Sequence, residues 1–366
     1  MQVVFRVDAS FQIGTGHVMR CLTLAKALQQ KNADVKFICR EHQGNLINYI
    51  EQQGFKTYRL PTNVQKIESI EPASKREIFY GVSWLGSTQE QDAEQCLPIL
   101  SEVPPDWLIV DHYGMDQLWE ASLKECYKKI MVIDDLVDRQ HQCDVLLDQT
   151  YGRKKGDYLN FVPKNCQLLL GSQYALLRPE FSEWREFSLR RRIKPQFKKL
   201  LITLGGVDSN NVTSQVLEAL EDCELPIDLE ITVVMGVTSP YKELVQEQAE
   251  KMSYKTEVKI NVTNMAELMA NSDVAIGAAG ATTWERCCLG VPSLIILLAD
   301  NQKETIEVLV ESAIALKGST DNLNKDMKKL ENISGDLLMS LSQNTMKVLD
   351  GQGTNKVMNT LLGRYQ

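Results

Sequence analysis

Three stretches combine residue types at spacings that can do chemistry. The first is Ile13-Gly14-Thr15-Gly16-His17, an imidazole directly behind two glycines. The ring can take or give a proton near neutral pH, and glycines let backbone come close to a ligand. The second is Asp111-His112-Tyr113, where the phenol offers both a donor and an acceptor to a polar ligand. The third is Gly277-Ala278-Ala279-Gly280-Ala281-Thr282-Thr283-Trp284-Glu285. Its small residues leave bare amides and the hydroxyls of Thr282 and Thr283 to meet an anion, as a phosphate cradle does. Glu285 lies close by, where a carboxylate can accept from vicinal ribose hydroxyls. Plainer readings stand beside each of these. The glycines at 14 and 16 can serve only a tight turn, His17 can be an idle polar residue at a helix start, and Glu285 can simply compensate a helix N-terminus.

Periodicity gives these stretches their positions. Val3 to Val7 is a β-branched run, and Val18, Cys21, Leu22, Ala25 and Leu28 recur at helical spacing, so the His17 loop joins a strand to a helix. Further strands are predicted at 35–39, 55–60, 106–111, 130–133, 145–148 and 168–170, with helices over 45–53 and 89–100. This alternation marks a parallel sheet with crossover helices. Asp111 and Asp134 end two of the strands where a parallel sheet meets its ligand cleft. Capping of the following helices is their ordinary explanation, and the acidic residues from Asp135 to Asp144 are read as cap and loop bonds. The charged segment Phe181–Arg192 reads as a solvated face or linker, which puts a domain boundary near 180–197. Lys199 to Leu204, then Gly205-Gly206 and a helix over 211–220, repeats the opening architecture. Strands at 229–235, 258–262, 274–276 and 293–298 and helices at 241–252 and 265–271 complete this half. Asp300-Asn301-Gln302 follows a strand end, where side-chain amides suit a sugar or acetamido group. Residues 304–318 and 322–362 read as largely helical, and 61–84 stay unassigned.

The expected fold class is therefore α/β, of GT-B type, with two Rossmann-like domains whose parallel sheets face each other across a cleft. The expected domains are 1–180 and 181–366, the terminal helix crossing back to the first. With 366 residues the chain is long enough for two well-packed cores. A formal charge of −8 excludes a nucleic-acid footprint, and no apolar run approaches a membrane span. Nine cysteines without a C-x-x-C pair read as reduced thiols, and four separated histidines make a metal centre improbable. Lack of a leader segment points to the cytoplasm. The third stretch is neither a Walker loop nor G-x-G-x-x-G, which favours neither ATP hydrolysis nor NAD.

Arg6-Val7-Asp8-Ala9, Gly14 to Leu22, Asp111-His112-Tyr113, Gly171 with Tyr174 to Arg178, Gly205-Gly206, Gly277 to Glu285 and Asp300-Asn301-Gln302 occur in this order. Together they resemble the PseG family, hydrolases that remove UDP from UDP-2,4-diacetamido-2,4,6-trideoxy-β-L-altropyranose in pseudaminic acid synthesis. The resemblance covers residues 1 to about 310 and implies a MurG-like fold with UDP held mainly by the second domain. It implies His17 as the catalytic residue, with Gly14, Gly16, Tyr113, Asn301 and Gln302 around the sugar. Gly205, Gly206, Ala279, Gly280, Thr282 and Thr283 would meet the pyrophosphate, Glu285 the ribose, and backbone near Val262 the uracil. The substrates implied are a UDP-sugar and water, with no cofactor and no metal, and the chain is expected to be a monomer or weak homodimer. A neutral imidazole suits proton removal from water, and in-line attack at the anomeric carbon would invert it. A UDP-sugar glycosyltransferase on the same fold and a non-catalytic nucleotide-sugar binder are the competing expectations.

Overall fold

The computed structural model describes residues 1–62, 82–102, 104–299 and 302–364. They form two compact units, Met1–Leu176 with Gly353–Gln366, and Leu177–Gln352. The first opens β1 (Gln2–Val7), α1 (Gly16–Gln29), β2 (Asp34–Arg40), α2 (Ile47–Gln52), β3 (Lys56–Leu60), α3 (Val82–Leu85) and α4 (Gln89–Glu102). It continues with β4 (Trp107–Asp111), α5 (Gln117–Ser122), β5 (Lys129–Ile133), β6 (Val145–Asp148) and β7 (Gln167–Leu170). The strands form one sheet in the order β3-β2-β1-β4-β5-β6-β7, parallel throughout.

A parallel sheet is covered on both faces, which is why its strands read as continuous apolar runs. Along β1, Val3, Phe5 and Val7 point to one core with Val18, Cys21, Leu24 and Leu28 of α1, and Phe5 stacks on Phe37 at 5.0 Å. Val4 points the other way, into a core with Ile38, Leu108, Val110 and Trp119. Arg6 breaks the run and is fully buried, its guanidinium held by Asp8 at 2.7 Å and Asp92 at 2.6 Å, with Arg40 also on Asp92 at 2.6 Å. Such a network is tolerable in a core only because every charge has its opposite.

The second unit contains α6 (Pro179–Arg191), β8 (Lys199–Thr203), α7 (Val212–Glu221), β9 (Glu230–Met235), α8 (Lys242–Ala249), β10 (Lys255–Ile260), α9 (Met265–Asn271) and β11 (Val274–Ala278). After these come α10 (Thr282–Cys288), β12 (Ser293–Leu297), α11 (Lys303–Glu311), β13 (Leu316–Ser319), α12 (Leu323–Met327) and α13 (Gly335–Thr345). Its sheet runs β10-β9-β8-β11-β12-β13, again all parallel. The last helix, α14 (Gly353–Leu361), belongs to the first unit. There Val357, Met358 and Leu361 join the α1 core, and Trp107 Nε1 donates to Leu361 O at 3.0 Å. A Cβ at Gly353 would lie 2.3 Å from Ala175 O, so only glycine permits this seat.

Three expectations are corrected. Phe181–Arg192 is not a solvated linker: α6 buries Phe181 and Ser188, and the buried Arg192 donates to the carbonyls of Ser188, Met269, Ala270, Ser272 and Gly290. Backbone acceptors, not water, take that charge. The strand expected at 258–262 lies at Lys255–Ile260, because its polar first half belongs to an exposed edge. Residues 316–318, the end of a segment read as largely helical, form with Ser319 the opposite edge strand β13.

In each sheet the chain moves outward in both directions from one adjacent pair, β1 and β4 in the first and β8 and β11 in the second. The loops leaving such a pair part from one another and open a crevice at the carboxyl edge. His17 follows β1 and Tyr113 follows β4, while Gly205 follows β8 and the small-residue loop follows β11. No described helix is long and apolar enough to cross a membrane.

Candidate active site

In the first unit the turn after β1 is built on Ser10. Its Oγ accepts from Ile13 N at 2.9 Å and from Gln12 N at 3.2 Å, and its carbonyl accepts from Gly14 N at 2.9 Å. Gly14 has φ of +81°, a conformation that a side chain would strain, whereas a Cβ at Gly16 would meet nothing within 4 Å. His17 then enters the first turn of α1 with 9% of its surface exposed.

Its Nδ1 lies 2.6 Å from Asp111 Oδ1. Register places Asp111 beside Val7, so the carboxylate stands at the mouth of the crevice on the strand next to β1. Asp111 also accepts Arg20 Nε on Oδ2 and Arg20 Nη2 on Oδ1, both at 2.6 Å. Burial alone would raise its pKa, but Arg20 and His17 outweigh it and hold the group far below the ordinary carboxylate range. A permanent anion can only accept, so Nδ1 carries a proton, and Nε2 is the lone-pair nitrogen of the neutral tautomer. The 3.2 Å approach of Arg20 Nη2 to Nδ1 is then not a hydrogen bond.

Tyr113 sets its ring edge-on to His17, centroids 4.7 Å apart, and Trp84 stacks on Tyr113 at 5.8 Å. The phenol donates to Asp135 Oδ1 at 2.5 Å, and Asp135 Oδ2 takes Arg20 Nη1 at 3.2 Å. Asp111 and Asp135 therefore act as anchors of the histidine and tyrosine rather than as the caps and loop bonds expected for them. Sequence reasoning gave no role to Arg20 or Trp84. Arg20 carried a signal, being three residues after His17 on the same face of α1.

In the second unit Gly205 has φ of +102° and open space where a Cβ would point. Gly206 O would be only 2.1 Å from a Cβ at Gly236, which ties the loop after β8 to that after β9. The opening amides of α7 are already taken, Val212 N and Thr213 N each donating to Asp208 at 2.9 Å. The loop after β11 also presents open backbone at this edge: Gly280 and Ala281 are exposed, Ala279 and Thr282 are half-buried, and a Cβ at Gly280 would meet nothing within 4 Å.

Thr283, expected to offer its hydroxyl to an anion, buries it instead, donating to Ala278 O at 3.2 Å and accepting from Arg286 Nη2 at 3.1 Å. Glu285 keeps 16% of its side chain exposed and faces Arg178 at 3.8 Å. Burial raises its pKa to about 7 against the pull of Arg178. Val262 lies in the turn after β10, and Gln302 opens α11, its Oε1 accepting from Leu298 N at 3.3 Å. Asn301 lies outside the described residues. Among the described residues no group of three or more His, Cys, Asp or Glu side chains could hold a metal ion.

Residues 199–351 match the glycosyltransferase family 28 C-terminal domain. The chain is 30% identical over 306 residues to a UDP-2,4-diacetamido-2,4,6-trideoxy-beta-L-altropyranose hydrolase of Campylobacter jejuni, covering 83% of this chain and 94% of that protein. It is 26% identical over 308 residues to an uncharacterized protein of Methanocaldococcus jannaschii, covering 83% of this chain and only 57% of that longer protein. Among solved structures, Acinetobacter baumannii MurG superposes with a TM-score of 0.67 at 16% identity over 99% of both chains, a likeness of fold. The fold is thus of GT-B type.

Proposed function

The chain belongs to the family of UDP-2,4-diacetamido-2,4,6-trideoxy-β-L-altropyranose hydrolases, and from that premise we propose that it hydrolyses the sugar–UDP bond of this substrate with inversion. At the coarser level it is an enzyme that processes a UDP-sugar. The observation that carries the reading is the 2.6 Å contact between His17 Nδ1 and an Asp111 carboxylate pinned by Arg20.

In this reading His17 Nε2 takes a proton from a water molecule whose oxygen attacks the anomeric carbon. The bond from that carbon to the β-phosphate oxygen breaks, and UDP leaves with the electron pair. Asp111 fixes the tautomer beforehand and faces the imidazolium that forms. Tyr113, Gly14 and Gly16 border the sugar with Asn301 and Gln302. The loops at Gly205-Gly206 and Ala279–Thr282 meet the diphosphate, Thr283 shaping the second loop from below. Glu285 takes the ribose hydroxyls and backbone at Val262 the uracil. Fixed amides facing the diphosphate stabilise the charge that develops on the leaving group.

Proton NMR of the UDP-diacetamido sugar, with the wild type and with His17→Ala, tests the reading. Loss of turnover with UDP binding retained is expected, and unchanged turnover in the variant would sink it. The family 28 match over residues 199–351 favours a second reading, transfer of the sugar to an acceptor hydroxyl. Release of UDP in the absence of any acceptor discriminates against it.

A further inference from the structure

Arg286 sits in the second turn of α10 with 1% of its surface exposed, directly beneath the loop after β11. Its Nη2 donates to Ala278 O at 2.9 Å and to Thr283 Oγ1 at 3.1 Å, and its Nη1 to Thr282 Oγ1 at 3.2 Å. Its Nε has no partner. The other buried arginines are compensated. Arg6, Arg40 and Arg139 each hold a carboxylate, as does the partly buried Arg20, and Arg192 has backbone carbonyls on all three nitrogens. Around Arg286, Glu285 is the neighbouring acid, and its ion pair is with Arg178 instead.

The sequence has also made room for this guanidinium. A Cβ at Gly277 would lie 2.3 Å from Arg286 Nη1 and 2.9 Å from its Cζ. The first glycine of the small-residue stretch is therefore small on account of the arginine, not of a ligand. Burial pulls the Arg286 pKa down to about 10, which leaves it cationic at neutral pH. A buried cation with neutral partners raises the potential at the loop above it, and an arriving anion supplies the missing counter-charge.

We propose that Arg286 is the fixed cation of the diphosphate loop, a positioning residue that shapes Ala278–Thr283 and makes the site select nucleotides by phosphate charge. The proposal rests on the nucleotide reading above. The experiment compares UDP, UMP and uridine binding to the full-length wild type, Arg286→Lys and Arg286→Met, by calorimetry for the nucleotides and ligand-observed NMR for uridine. Arg286→Met is expected to weaken UDP roughly tenfold or more and UMP less, with uridine within about twofold of the wild type. Arg286→Lys, keeping charge without the fork, recovers part of the UDP loss. Equal losses for uridine and UDP in either variant would reveal a merely structural residue and overturn the proposal, as would unchanged UDP affinity in Arg286→Met. Should that variant not fold, Gly277→Ala keeps the charge but pushes the guanidinium aside. It is held to the same order of losses, UDP before UMP before uridine, and an equal loss for all three overturns the proposal there too. A wild type that binds no UDP fails at the nucleotide reading itself, before any variant is compared.

Discussion

Replacing Asp111 with asparagine isolates what the carboxylate does for His17. Oδ1 receives His17 Nδ1 and Arg20 Nη2, and Oδ2 receives Arg20 Nε, all at 2.6 Å. An amide cannot serve this set, because one of its two positions is an NH₂ group. Turned toward His17, that group forces the ring into the opposite tautomer and places a proton on Nε2. Turned toward Arg20 Nε, it repels the guanidinium that pins the side chain. Either way the anion facing the imidazolium is gone. General-base assistance contributes roughly 10²–10⁴ in rate, so kcat is expected to fall by that factor, about 3–5 kcal/mol of barrier at about 1.4 kcal/mol per tenfold. The fold loses much less, about 1.5–3 kcal/mol for one charge-assisted hydrogen bond, since Arg20 keeps Asp135 at 3.2 Å. UDP release from the diacetamido sugar measures kcat, and calorimetry with UDP checks that nucleotide affinity stays within about threefold. A folded Asp111→Asn variant with kcat within about fivefold of wild type would refute the reasoning.

Asp92 accepts from Arg6 at 2.6 and 3.1 Å, from Arg40 at 2.6 Å and from Trp119 Nε1 at 3.0 Å, all in the core. Asp92→Ala strands the Arg40 guanidinium and leaves Arg6 with Asp8 alone, and is expected to cost roughly 3–5 kcal/mol in urea unfolding; a loss below about 1 kcal/mol contradicts the network's role. Glu285 has the opposite sign from the depressed aspartates. Its folded pKa is raised from 4.5 to about 7, so its contribution is full below about pH 4.5 and disappears as pH rises through 7. At about 1.4 kcal/mol per pH unit, wild type should lose up to about 3 kcal/mol between pH 5 and pH 8 relative to Glu285→Gln. Parallel pH dependences in the two proteins would rule this out.

How far the sequence could be read depends on where a residue finds its partner. β1, β4, β8 and β11 lie centrally and are buried on both faces, so apolar runs alone marked them. β10 and β13 are edges. Lys255 is largely exposed and pairs with Glu230 at 2.5 Å, so its strand looks polar until Val258. β13 has only Leu316-Lys317-Gly318-Ser319 to declare itself. The type and position of His17 were legible because loop and helix are local. Its dependence on Asp111, ninety-four residues away, was not, and neither was the debt of Gly277 to Arg286, since glycine beside a phosphate-type loop already has a sufficient local explanation. Arg192 misled for the same reason: a run of basic residues carries no mark of the carbonyls that will surround one of them.

The return of α14 to the α1 core sets an order of events during synthesis. When Leu176 leaves the ribosome, the face of α1 that awaits Val357, Met358 and Leu361 is still bare. Translation of the intervening segment takes roughly ten to thirty-five seconds at roughly 5–20 residues per second. For that interval the nascent first unit carries a sticky apolar groove beside its histidine helix, and α14, made only after the whole second unit, is the helix that closes it.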